Sequence, residues 1–307
     1  AELGLVYLPV EEASGDYYGG TRPGNNLFAE SVVALDVRTG QRRWHYQLVH
    51  HGIWDYDIPA APVLIDAVKD GRVVKALAQP TKQGFLFVLD RTTGVPVWPI
   101  PERPVPKGDV PGEWYAPTQP IPPIAYGRTS LTKDDLIDFT PELRAEAEQI
   151  FARYKTGPMY TPPVLSKAEG PIATLSPGWS SNWPGGAADP ENRLVFVAAN
   201  QGVSPLGLIE QQGRDMPYGR GSAMSRNQPL PSGIRGVEEI ALLARLHLLR
   251  DAPVDQRGHA DRRQGSDPRP RPRRGAQGRP CRRGGQRSPE DLRHHRDARR
   301  SGARRRR

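Results

Sequence analysis

An all-β fold made of repeated small antiparallel sheets, forming part of a β-propeller, is predicted for this chain by three observations. A strand–turn–strand pattern recurs at a fixed interval, turn formers abound (33 Pro and 32 Gly in 307 residues), and Met and Phe are scarce, as they would not be in a helical bundle.

Residues 33 to 44 read Val-Ala-Leu-Asp-Val-Arg-Thr-Gly-Gln-Arg-Arg-Trp, an apolar strand, a polar turn and a return ending on an aromatic. The pattern comes back 54 residues later, where Val88-Leu89-Asp90-Arg91-Thr92-Thr93-Gly94 leads to Trp98. In both copies Asp, Gly and Trp are spaced by four and four. Asp can hydrogen-bond its own turn, Gly accepts positive φ, and Trp can lay a large face on the neighbouring unit. Antiparallel sheets are therefore expected over most of residues 4 to 98, with Trp44 and Trp98 in equivalent packing positions. A third, weaker unit is Asp189-Pro190-Glu191-Asn192-Arg193 followed by Leu194-Val195-Phe196-Val197. One small sheet cannot bury both of its faces, so such units imply stacked blades; two hairpins of a β-sandwich remain the alternative.

Residues 99 to 178 form a long excursion between these units. Its first part carries Pro99, Pro101, Pro104, Pro106, Pro111, Pro117, Pro120, Pro122 and Pro123, and cannot ladder into a central strand. Thr140-Pro141-Glu142 then supplies an N-cap, a first-turn proline and an early acid, predicting a helix over Leu143 to Tyr154. Long insertions on one face of a propeller commonly shape the mouth of a site.

From about Gly236 the composition changes. No aromatic follows Tyr218 and no Lys follows Lys167. Residues 251 to 307 hold 19 Arg against 7 acidic residues, and that surplus of 12 exceeds the whole chain's +9, leaving residues 1 to 250 at −3. The body thus offers no electrostatic case for nucleic acid. Two domains follow: residues 1 to 235 as a partial propeller and 236 to 307 as a low-complexity Arg-rich tail unable to offset its ordering entropy by apolar burial. A helix over Glu238 to Arg250 is the one element the tail's spacing permits. The lone cysteine, Cys281, excludes a disulfide framework and a thiolate metal site from the body. No run approaches the roughly 20 apolar residues of a membrane span. The chain opens on Leu5-Val6-Tyr7-Leu8, already strand-like, and an amino-terminal part is expected before it.

The segment richest in chemistry is His50-His51-Gly52-Ile53-Trp54-Asp55-Tyr56-Asp57. Two His, two Asp and two bulky aromatics within eight residues are a costly mixture for a structural turn. Adjacent histidines on an extended chain point to opposite faces, so His50 and His51 cannot easily share one ion, and at least one should be structural.

Together with Tyr17-Tyr18-Gly19-Gly20, Ser31-Val32-Val33-Ala34-Leu35-Asp36, Gln79-Pro80-Thr81-Lys82-Gln83-Gly84, Val88-Leu89-Asp90-Arg91 and Pro117-Thr118-Gln119-Pro120, this segment resembles the membrane-bound glucose and quinate type of pyrroloquinoline quinone (PQQ) dehydrogenases, over about residues 1 to 233. The resemblance implies an eight-bladed propeller of the quinoprotein alcohol dehydrogenase type, of which this chain supplies some blades. It implies a sugar or polyol-type alcohol as substrate, PQQ with a Ca or Mg ion as cofactors, ubiquinone as electron acceptor, and a periplasmic site attached to the inner membrane through a preceding region. Asp55 matches the family's general base, which takes the substrate's hydroxyl proton as hydride passes to the quinone. Lys82 matches the residue that hydrogen-bonds the reactive quinone oxygen, where a cation stabilises developing negative charge. Ser181-Asn182-Trp183-Pro184-Gly185-Gly186 is similar to a cofactor-rim element, implying that Asn182 and Trp183 contact the cofactor, although Trp183 suits blade packing equally.

The sequence departs from the family at Gly52, where an aspartate is usual, and the metal ligands are expected largely upstream of Ala1. Past Gly233 the family continues with a cysteine, Pro-Pro-Trp and another strand. Ala252-Pro253-Val254-Asp255 permits Pro-Pro-Trp one nucleotide out of frame, with compatible readings either side, which implies a frameshift between about Gly233 and Leu246. Two other classes stay open on sequence: a non-catalytic propeller scaffold, and a nucleic-acid binder acting through the tail. Convergence of Asp55, Lys82 and Asn182 on one centre would separate the first from an enzyme.

Overall fold

The computed structural model describes residues 2–224. The Arg-rich segment, its possible helix over Glu238 to Arg250 and the boundary at residue 235 lie outside the described residues.

The first sheet is the meander β1 (Leu5–Val10), β2 (Ser31–Asp36) and β3 (Arg42–Gln47), antiparallel throughout. The second repeats it with β4 (Val63–Lys69), β5 (Arg72–Pro80) and β6 (Leu86–Asp90). The two hairpin turns match bond for bond. Asp36 Oδ1 accepts from the amides of Arg38 and Thr39, and Asp90 Oδ1 from those of Thr92 and Thr93. Gly40 and Gly94 close the turns at φ +69° and +77°, each donating its amide to the carbonyl of that Asp at 2.8 Å. The third unit obeys the same rule: Asp189 Oδ1 accepts from Glu191 and Asn192 amides, and Arg193 takes the positive φ, between β11 (Gly186–Asp189) and β12 (Leu194–Val197).

Trp44 joins the first unit to the second. It stands opposite Ala34 in the β2–β3 register, is buried, and donates its indole N–H to the carbonyl of Arg91 at 3.3 Å. Its ring lies against Gly94, where an added Cβ would come within 2.6 Å of it. Tyr7 donates to the same carbonyl. Trp98 does not repeat this position. After a single bridge between Pro96 and Leu89 the chain leaves the ladder, because Pro96 and Pro99 have no N–H to give, and Trp98 rests half buried on the second sheet's own Val88 and Val97.

The Trp44 contact yields a paired expectation. Gly40→Ala meets open space and bears only the left-handed strain, about 1 kcal/mol. Gly94→Ala adds a collision with Trp44 and should cost about 1–3 kcal/mol more. Denaturant midpoints of the two variants measure the difference, and equal losses would mean that Trp44 does not depend on this turn.

The excursion is irregular, as its prolines require, but it carries short elements that sequence spacing did not reveal. A two-stranded ribbon pairs β7 (Glu102–Pro104) with β8 (Thr118–Pro120), and Pro is tolerated there because both strands are edges. Helix α1 (Pro141–Phe151) is capped by Thr140, whose hydroxyl accepts from the Leu143 amide. It ends three residues before the expected Tyr154. A final sheet sets β13 (Val203–Glu210) between β10 (Thr174–Pro177) and β14 (Tyr218–Arg220), with β9 (Val164–Leu165) parallel to β13. The main core draws Val32, Trp44, Leu77, Phe87 and Leu206 from these sheets onto Leu48 and onto Ile53, Trp54 and Tyr56 of the histidine–aspartate segment.

Candidate functional site

The loop that leaves β3 is anchored by alternation. Trp54, Tyr56 and Ile58 are fully buried, while Asp55 and Asp57 between them emerge on the other side. Trp54 and Tyr56 stack at 6.2 Å, both edge-on to Tyr160, and Tyr56 Oη lies 2.8 Å from Ser176 Oγ and donates to the carbonyl of Pro177. Asp55 adopts φ +57°, a left-handed conformation that costs about 1–3 kcal/mol and persists only where the surroundings enforce it.

Those surroundings are two buried carboxylates. Glu12 Oε2 accepts from the Tyr56 amide and Glu30 Oε2 from the Gly52 amide, both at 3.1 Å. Arg22 donates to the Gly52 carbonyl at 2.7 Å. A Cβ at position 52 would lie 2.4 Å from the Glu30 carboxylate oxygens, so Gly52 is required by the acid that fills its space. Burial pushes Glu30 up to about 8 and Glu12 well above the carboxylate range. Glu30 enters this space from the residue before β2.

Lys82 enters from the turn after β5. Thr81 pins that turn, its hydroxyl donating to the Phe85 carbonyl and accepting from the Phe85 amide. The Ser180 and Ser181 amides bond the carbonyls of Lys82 and Thr81 from the far side. The ammonium reaches Asp55 Oδ1 at 2.7 Å and Asp57 Oδ2 at 3.1 Å, and its side chain is 6% exposed. It also sits 4.7 Å from the ring centre of Trp179. Tyr17 donates its hydroxyl to Asp55 Oδ2 at 2.9 Å, and Asp57 Oδ1 accepts from the Glu12 amide at 2.7 Å.

Burial raises the Asp55 carboxyl above its ordinary value against the opposing pull of Lys82 and Tyr17, with Asp57 adding to the rise. Burial works against the charge on Lys82, yet its bonds to Asp55 and Asp57 carry the ammonium above the usual lysine value. Tyr17 is raised by burial first and by Asp55 second, and stays a donor. A carboxylate of raised basicity beside a fixed cation can take a proton and hold nearby negative charge.

The expected residues do not all meet. Asp55 and Lys82 form one ion pair. Asn182 follows Ser181 on the strip that clamps the Lys82 turn, but its side-chain oxygen accepts from the Trp183 amide within its own turn. Trp183 is 80% exposed and contacts neither member of the pair. Trp179 lies against Lys82 instead, also at positive φ, with its indole N–H buried and unpartnered. His50 is held by Gln47 and Glu102, and the buried His51 has its two ring nitrogens against the carbonyls of Gly19 and Gly24. The two histidines diverge, each with a structural partner. Among the described residues no group of three or more His, Cys, Asp or Glu is arranged to hold a metal ion.

Sequence reasoning gave no role to Tyr17, Asp57, Trp179, Glu12 or Glu30. The alternation of aromatic and aspartate over residues 54 to 57 was the available signal for Asp57, since it puts both carboxylates on one face.

Residues 1–242 match the model of the PQQ glucose/ethanol/alcohol dehydrogenase β-propeller domain. The chain belongs to this family. Among curated relatives of this PQQ-family chain, the glycerol dehydrogenase large subunit of Gluconobacter oxydans is 39% identical over 66% of the chain and 28% of its own length. The quinoprotein glucose dehydrogenase of Escherichia coli is 36% identical over 64% and 25%, and the quinate/shikimate dehydrogenase (quinone) of Acinetobacter baylyi 36% over 70% and 27%. The chain therefore spans about a quarter of the length of these relatives. The all-β propeller class and the family read from the motifs are both borne out, the described strands being sheet with one α-helix.

Proposed function

We propose that this chain forms part of an eight-bladed PQQ dehydrogenase that oxidises the CH–OH group of a sugar or polyol-type alcohol. The observation that carries the reading is the half-buried Tyr17–Asp55–Lys82–Asp57 array, in which a base of raised pKa is paired with a cation. When bound, PQQ supplies an electrophilic quinone carbonyl that accepts hydride.

The residues present suit such a group. Lys82 spends two N–H bonds on Asp55 and Asp57 and keeps a third. The Trp179 indole N–H is buried without a partner, and its ring lies 4.7 Å from the Lys82 ammonium, so both could serve an oxygen-rich ligand. Lys82 with Asn182, Trp183 and Trp179 would hold the cofactor edge. Asp55 takes the proton from the substrate hydroxyl. Tyr17 and Lys82 fix which carboxylate lone pairs face the substrate, since each oxygen already accepts one bond. The Ca or Mg ion is assigned to none of the described residues. Ubiquinone as acceptor and a periplasmic, membrane-attached location complete the reading: the name of the quinate/shikimate relative prints a quinone, and the location is what the family resemblance implies.

The test is reconstitution. The protein loaded with PQQ and calcium or magnesium should reduce an artificial electron-acceptor dye when given a sugar or polyol, in strict dependence on PQQ. Absence of PQQ-dependent dye reduction with every alcohol tried would overturn the proposal.

A further inference from the structure

Glu30 stands directly before β2 and is fully buried. Its backbone belongs to the first sheet: the Glu30 amide donates to the Glu11 carbonyl at 3.0 Å, just past β1, and its own carbonyl accepts from the Leu48 amide at 2.8 Å, just past β3. Its side chain belongs to the loop that carries Asp55. Glu30 Oε2 accepts from the Gly52 amide, while Arg22 Nη2 holds the carbonyl of the same residue. Position 52 has no side chain, so its peptide is the only handle by which that residue can be gripped. Three residues on, Asp55 takes φ +57°, and His51 on the other side of Gly52 takes +43°, conformations that non-glycine residues keep only under restraint. The Tyr56 amide is held by Glu12, so the base lies between two gripped amides.

We propose that Glu30 is a positioning residue for the reaction: it ties the Gly52 peptide to the first sheet and so sets where the Asp55 carboxylate stands. This rests on Asp55 being the base and adds the residue that holds it in place. Among the described residues Glu30 makes no hydrogen bond or ion pair with Asp55 or Lys82, so it acts through the backbone. The bond to Gly52 needs an acceptor and not a charge. Glu30 Oε1 is buried without a partner, and among the described residues no cation lies within 4.0 Å of the carboxyl, Arg22 being that near only to Glu12. Burial accordingly pushes Glu30 up to about 8, which keeps it largely neutral at pH 7. Glutamine has the same length and an oxygen that accepts equally, whereas aspartate is an acid too short to reach the amide. A misplacement of the base by about 1 Å is enough to cost about 10²-fold in rate.

The test separates position from stability. In the PQQ-loaded protein, Glu30→Ala and Glu30→Asp should lower kcat by at least about tenfold while KM and the calorimetric Kd for PQQ stay within about threefold, and Glu30→Gln should keep kcat within about threefold of the parent. Without cofactor, amide exchange over residues 50 to 57 should quicken by at least about tenfold in the Ala and Asp variants and stay near the parent rate in Gln. Leu136→Ala is the control, since it opens a cavity in the separate apolar cluster beside α1 and should leave both kcat and this exchange within about threefold. A Glu30→Ala protein that loses no more kcat than Leu136→Ala overturns the proposal. So does a Glu30→Gln protein as impaired as Glu30→Asp, a comparison that decides even where the Ala variant does not fold. A parent protein without PQQ-dependent turnover would strike the dehydrogenase reading beneath the proposal, and unchanged exchange in Glu30→Asp would by itself show that Glu30 does not hold the loop.

Discussion

Asp55→Asn is expected to lower turnover by about 10²–10⁴-fold while PQQ binding and the unfolding midpoint stay near those of the parent. Asparagine isolates proton transfer from every other property of the position. It tolerates the left-handed backbone that Asp55 adopts at φ +57°, so no new strain enters. Its amide oxygen can still accept from Lys82 and its amide nitrogen can face the Tyr17 oxygen, so the array keeps its shape. Only the capacity to take a proton is lost. The pH dependence adds a second reading. The base works when ionised, and burial sets its pKa above the ordinary 3.8, so the parent's rate should fall as pH drops through a value above 3.8. The variant should lack that limb. Turnover within a few-fold of the parent would remove Asp55 from the role.

What was legible in the sequence was local. Asp36, Asp90 and Asp189 organise their turns through amides two and three residues away, and such contacts survive in a one-dimensional reading. The Asp55–Lys82 pair was legible only through family resemblance, since 27 residues and a β hairpin separate the two side chains. The rest of the site comes from distant segments. Tyr17 and Trp179 arrive from a turn and from the loop after β10, and no periodicity links them. Trp98 shows the opposite failure: its spacing repeats that of Trp44, yet packing is decided by whether the chain stays in the ladder, and Pro96 and Pro99 take it out. Trp183 and Trp179 differ likewise. Both flank the serines that clamp the Lys82 turn, but Trp179, at φ +60°, lies against Lys82 while Trp183 is exposed, a distinction that composition does not carry.

Lys82→Met should cut turnover by about 10²-fold or more and, in addition, move the acid limb of whatever rate remains to higher pH. The sign follows from the forces on Asp55. Burial and Asp57 raise its pKa, whereas the hydrogen bond and charge of Lys82 lower it. Methionine keeps the length and apolar stem of the side chain but removes the one group among the described residues that ion-pairs both carboxylates, so the raising influences are opposed by Tyr17 alone and Asp55 accepts its proton at a higher pH. Some stability is lost too, because Asp55 and Asp57 then share a partly dry pocket without a cation. Lys82→Arg separates the two consequences. It keeps a charge between the carboxylates, and so should hold the acid limb near its parent position, while a planar fork cannot reproduce a point donor aimed at a third oxygen, and turnover should still fall. A Met variant whose pH limb stays in place would show that Lys82 does not govern the ionisation of Asp55, and one with near-parental turnover would show that its charge is not used in the reaction.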